Sequence, residues 1–159
     1  MSDTDVGRAA EALEGHSIVL CRGQQTLISD GRGISPMLDW LAAGEDLHGF
    51  SAADMVVGRA AAMLFVLAGV VSVHARVLSR GGKEYLEKYG IPVTYGALTE
   101  SIRNRTGDDI CPMERAVASI DDPHEGYDAL VKRRAELRGQ AGAHPDTEKS
   151  KRPTAGKCI

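Results

Sequence analysis

Fourteen residues from Ala60 to Val73 carry no charge, and small or polar residues interrupt the apolar run only at Gly69 and Ser72. The run is well short of the roughly twenty apolar residues that a membrane-spanning helix needs. It must therefore be buried against the rest of the chain. Ala68-Gly69 reads as a turn that splits it into a buried helix and a buried strand, the strand running from about Val70 to Leu78. A helix and a strand both this apolar need covering layers, which selects an α/β architecture.

The flanking sequence punctuates itself with glycine and proline. A short helix through Arg8–Leu13 ends at Gly15, after a loose segment 1–6. Ile18–Cys21 and Thr26–Ile28 read as a hairpin around Arg22-Gly23-Gln24. Ser35 as N-cap and Pro36 as first helical residue open a helix that Gly44 stops. Ser51-Ala52-Ala53-Asp54 matches a capping box, so the buried helix is expected to start there and run to about Ala68. In the strand that follows, Val71, Val73, Ala75 and Val77 share one face, and Ser72, His74 and Arg76 the other. A helix over Gly81–Tyr89, a strand over Ile91–Tyr95 and a helical turn near Leu98–Ile102 come next. Cys111-Pro112 and Asp122-Pro123 open the last two helices, the second reaching about Arg138. From Gly139 periodicity stops, and the tail 139–159 is expected to be disordered, leaving one domain over 7–138.

Aromatic residues are only 4% of the chain, so the core is aliphatic. The net charge of −3 is uneven, because residues 139–159 hold four basic against two acidic side chains. The body is thus acidic, which argues against a nucleic-acid partner. Three cysteines, Cys21, Cys111 and Cys158, make no disulfide framework. No signal segment or membrane span is expected, and the default location is cytoplasmic. Nothing in the sequence sets an oligomeric state.

The order hairpin, helix, buried helix, strand, helix, strand resembles the cytidine deaminase-like superfamily. The resemblance sharpens at three places: Asp30-Gly31-Arg32-Gly33-Ile34-Ser35-Pro36, Ala53-Asp54 leading to Val56–Ala62, and Cys111-Pro112-Met113-Glu114-Arg115-Ala116-Val117. Together these are similar to an uncharacterised prokaryotic domain-of-unknown-function family placed in that superfamily, over roughly residues 10–130. The resemblance implies a three-layer sandwich, a mixed sheet with helices on both faces. It says less about activity, since one fold hosts many chemistries. A zinc deaminase takes one ligand and a glutamate from His-x-Glu or Cys-x-Glu at the start of the buried helix, and two ligands from Pro-Cys-x-x-Cys at the helix after the third strand. The places that correspond in the sequence read Asp54-Met55-Val56 and Ser79-Arg80-Gly81-Gly82. Neither carries the ligands, so no zinc and no other cofactor is expected. Family members often carry Lys after the aspartate; Met55 stands there, so no role for that lysine carries over.

Two residues are candidates for chemistry. Asp54 stands where the superfamily keeps its reactive groups, although a carboxylate at a third helical position is first of all a cap. Cys111, as an N-cap, would sit where a helix dipole favours thiolate, although buried cysteines are usually inert. Gly31-Arg32-Gly33 before Ser35 could cradle an anion with backbone N–H groups, but no Gly-Lys-Ser/Thr follows to make a P-loop. The leading expectation is a zinc-free protein that binds a small anionic or nucleotide-like molecule. Its pocket would lie between Gly31–Ser35, the Ser51 and Asp54 helix start, and the Ser79, Gly81 and Gly82 helix start. The alternatives are a thiol-dependent enzyme using Cys111, and a redox or interaction module without turnover.

Overall fold

A computed structural model describes residues 4–104 and 106–142. In chain order the elements are α1 (Asp5–Ala12), β1 (Ile18–Arg22), β2 (Gln25–Ser29), α2 (Ser35–Ala42), β3 (Ser51–Val57) and α3 (Arg59–Ala68). Then come β4 (Ser72–Ser79), α4 (Arg80–Lys88), β5 (Val93–Thr99), α5 (Pro112–Val117) and α6 (Pro123–Gly142). The strands form one mixed sheet in the order β2-β1-β3-β4-β5. β1 is antiparallel to both neighbours, whereas β3, β4 and β5 are parallel.

Both parallel steps move across the sheet in the same direction, and right-handed crossovers therefore put α3 and α4 on one face. Strand parity divides the core accordingly. Ile18, Leu20, Ala52, Val73 and Ala75 face the large core shared with α2–α6. Val19, Cys21 and Ala53 face α1, where Ala9 and Leu13 complete a small second cluster. Helices thus cover both faces, but unequally. α3 is sealed by the sheet below and by α4, α5 and α6 above, so Ala60 through Phe65 are all buried. Gly69 ends it in the left-handed region (φ 85°), returning its N–H to Phe65 and Val66 carbonyls.

The largest correction to the sequence reading is at Ser51–Val57. This segment is the central strand β3 and not the start of the buried helix, which begins at Arg59 with Gly58 as N-cap. The capping-box pattern at Ser51 and Asp54 is fortuitous. β3 is flanked by strands on both edges and buried on both faces, so it shows no polar alternation that would distinguish it from a helix. Gly58 is accordingly a cap and not a mid-helix glycine.

Smaller corrections follow from pairing. β5 extends to Thr99, so the expected helical turn near Leu98 is strand, held in register by β4. Val71 precedes β4 and is exposed. Ile34, and not Ser35, is the N-cap of α2. α1 begins at Asp5 with Thr4 as cap, inside the segment expected to be loose. α6 continues past Arg138 to Gly142, and the rest of the expected tail lies outside the described residues. No described helix is long and apolar enough to cross a membrane.

Candidate functional site

A small cleft with about 20 Å³ of free space opens at the carboxyl ends of the parallel strands. That end of an open α/β sheet is where such folds place ligands, because loops diverge there and helices begin. Gly33 and Ile34 bring the start of α2 to the cleft, and Gly58, Ala60 and Ala61 bring the start of α3. Cys111, Met113 and Glu114 bring the start of α5, while Val56 and Ile102 supply apolar wall. Three helix N-termini therefore converge, each with a positive dipole end.

Glu114 is the polar centre of this cleft. It stands at the third position of α5, yet it does not cap that helix. Its Oε1 accepts the Arg59 N–H at 2.9 Å and its Oε2 accepts the Ala60 N–H at 2.8 Å. The carboxyl group thus caps α3, more than fifty residues away in sequence. Gly58 makes room for it, since a Cβ there would fall 2.6 Å from Oε1. Arg59 fastens the other end of α5, with Nε donating to the Val117 carbonyl at 3.1 Å and Nη2 to that of Ile120. Burial pushes the Glu114 carboxyl above its ordinary pKa, against the opposing pull of the two amides and of Arg59. Each oxygen takes one amide and keeps a lone pair for a further donor.

Of the residues singled out in the sequence, Gly33 and Cys111 line the cleft. Cys111 is the N-cap of α5 as expected, but it is buried and makes no side-chain cap. Cys21 is a free thiol, whereas Cys111 is not free. Gly31 donates its N–H to Ser29 Oγ at 3.0 Å in the loop before α2, and Arg32 beside it is exposed. Ser35 is the first residue of α2 and half-buried.

The rest are dispersed. Ser51 begins β3, at the opposite end of that seven-residue strand from the cleft. Ser79 caps α4, its Oγ accepting the Gly82 N–H at 2.9 Å. Gly81 and Gly82 belong to that first turn and do not line the cleft. Gly82 is there because α4 crosses the start of α3 closely. A Cβ on it would meet the Gly58 carbonyl carbon at 2.9 Å and the Val57 oxygen at 3.0 Å.

Asp54 is buried in the middle of β3, paired laterally with Ile18 and Ala75, and is neither a helix cap nor a cleft residue. Burial raises its pKa to about 8, although the Met55 and Val56 amides pull the other way. It is held protonated at neutral pH. Glu114, Gly58, Val56, Ala60, Ala61 and Ile102 were not picked out as site residues from the sequence. Glu114 and Gly58 were visible only as a helix-start carboxylate and a helix glycine. Among the described residues no group of three His, Cys, Asp or Glu side chains could hold a metal ion.

A family profile described as "TM1506: Domain of unknown function (DUF1893)" matches residues 8–133. Among solved structures, a DUF1893 family protein (TM1506) from Thermotoga maritima is similar in fold. Its TM-score is 0.75 at 23% identity, over 83% of this chain and 91% of that one. No curated protein matches the sequence.

Proposed function

We propose a ligand-binding role for this chain, which belongs to the TM1506 family, a domain of unknown function (DUF1893). Its ligand is a small anionic or nucleotide-like molecule, seated in the cleft at the carboxyl ends of β3–β5. The observation that carries this reading is Glu114, a desolvated carboxyl group in a cleft otherwise lined by apolar and glycine residues. The free space inside the cleft is about 20 Å³, so a base-sized ring enters by moving its walls apart. Its faces would pack on Val56, Ile102 and Met113, and its N–H groups would meet the spare lone pairs of Glu114. An anionic group would point outward to the Gly31–Gly33 loop and Arg32, beside the start of α2.

The topology supports a deaminase-like placement and moves the zinc comparison by one element. The helix after the third strand is α3, and the helix before that strand is α2. The places to compare are then Gly58-Arg59-Ala60-Ala61 and Ile34-Ser35-Pro36-Met37, not those beginning at Ser79 and Asp54. Neither contains Cys or His, so a different chemistry or none occupies the position.

Calorimetric titration with a panel of nucleobases, nucleosides and nucleotides tests the proposal. Binding is expected for at least one of them and should be lost in Val56→Phe, which fills the cleft from a half-buried wall position. No binding across the panel, and no small molecule released from the purified protein, would sink it.

A further inference from the structure

We propose that Cys111 and Cys158 form a reversible disulfide that ties the C-terminal segment of the chain across the cleft. Cys111 lines that cleft and stands in a disulfide. The chain has three cysteines, and Cys21 is a free thiol. Cys21 also belongs to the small cluster under α1, whereas Cys111 belongs to the large core on the other face of the sheet. Cys158, which lies outside the described residues, is therefore the partner that the chain itself supplies.

Reach allows the bond. α6 packs on α3 and α5, and midway along it Arg134 donates to the Ser35 carbonyl at 3.4 Å and to Asp39 at 2.9 Å. The second half of α6 thus runs past the start of α2, whose N-cap Ile34 is a cleft residue. α6 ends at Gly142, eight residues or about 12 Å of helix beyond Arg134. Cys158 is sixteen residues further on, a length of chain that extends to about 50 Å. A tether of that length holds a thiol at an effective concentration on the order of millimolar.

The chemistry balances as two exchanges with a low-molecular-weight disulfide. Lys157 precedes Cys158 and favours its thiolate, the attacking species. That thiolate attacks one sulfur of the small disulfide and releases one thiolate, which leaves a mixed disulfide on Cys158. The Cys111 thiolate then attacks the Cys158 sulfur and releases the second. The protein thiols give up two protons and two electrons, and the small disulfide becomes two thiols. The tie regulates the site proposed above and rests on that reading. With Cys111 bonded, the cleft keeps about 20 Å³ of free space, which admits water and little else. Reduction releases the segment and lets the walls part for a ligand.

Peptide mass mapping of native protein equilibrated with oxidised glutathione should find a Cys111–Cys158 link within one chain, which excess dithiothreitol opens. Amide exchange over 33–37, 56–61 and 111–114 should be slower in the oxidised protein than in the reduced one, with α1 unchanged. Cys158→Ser should abolish that difference. A link between two chains, a link to Cys21 or no link at all overturns the proposal. So does a Cys111–Cys158 link without slower exchange at the cleft, since the tie would then leave the site open. The nucleobase and nucleotide panel, run on reduced protein, decides the ligand reading separately.

Discussion

Asp54 and Glu114 are both carboxyl groups removed from water, and burial raises the pKa of both. Their surroundings differ in kind. Asp54 lies inside the sheet, and the amides that oppose its protonation belong to its own strand, at Met55 and Val56. Glu114 reaches from one helix to the start of another and takes both of its amides from there. One carboxyl therefore acts within a single element and the other joins two. Burial alone does not make a site residue; what separates the two is access to the cleft and partners drawn from elsewhere in the chain.

The helix junction at the cleft is the less forgiving region, and Gly82→Ala should show the largest effect. The new methyl group would press on the Gly58 and Val57 backbone, neither of which can rotate away. A loss of about 3 kcal/mol in urea unfolding is expected, at the upper end of overpacking costs. Glu114→Ala should come next, at about 2 kcal/mol, because it leaves two part-buried amides without an acceptor. Glu114→Gln keeps one acceptor and should lose about half as much. Equal losses for the two variants would mean that the carboxyl group packs and does not cap.

Gly58→Ala is expected to cost less than Gly82→Ala, although its contact is nominally closer, at 2.6 Å. The obstacle is the end of the Glu114 side chain, which can swing aside, and the Gly58 backbone is extended (φ −111°) and open to any residue. The expected loss is about 1–2 kcal/mol, similar to loss of a helix cap. Double-mutant analysis sharpens the point: in Glu114→Ala protein, Gly58→Ala should become nearly neutral. Additive losses would show that the glycine serves something other than the carboxyl group.

Punctuated elements were legible in the sequence. Gly23, Pro36, Gly44, Gly90, Pro112 and Pro123 mark turns, helix starts and helix ends that the fold keeps to within a few residues. β3 was not legible, because Ser51-Ala52-Ala53-Asp54 satisfies a local helix-start rule while the sheet on either side decides otherwise. Local chemistry lost to tertiary pairing there, as it does where a strand is buried on both faces. That misplacement also scattered the expected site, since Ser51 and Asp54 moved to the strand and the true helix start moved to Gly58. Glu114 stood inside a quoted motif, but its partners at Arg59 and Ala60 are contacts that no spacing rule along the chain could reveal.

The smallest effect at pH 4, and the most diagnostic across pH, belongs to Asp54→Asn. At pH 4 the Asp54 carboxyl is neutral in the folded protein, with its pKa near 8, and still about half protonated in the unfolded chain, so asparagine replaces an uncharged group of similar shape. The change there should be below about 1 kcal/mol. In the unfolded chain the same carboxyl titrates near 3.8. Between these values the folded state holds a proton that the unfolded state has released, so stability falls as pH rises. The contribution is whole below about pH 4, declines through the window and is gone above the folded pKa of about 8. Native protein should therefore lose stability relative to Asp54→Asn from pH 5 to pH 8, with the difference levelling at higher pH. Glu114 and His74 are present in both proteins and cancel in the comparison. Urea midpoints at pH 5, 7 and 9 measure it. Parallel pH profiles for the two proteins would mean that Asp54 is ionised in the folded state, hydrated by water reaching the middle of the sheet.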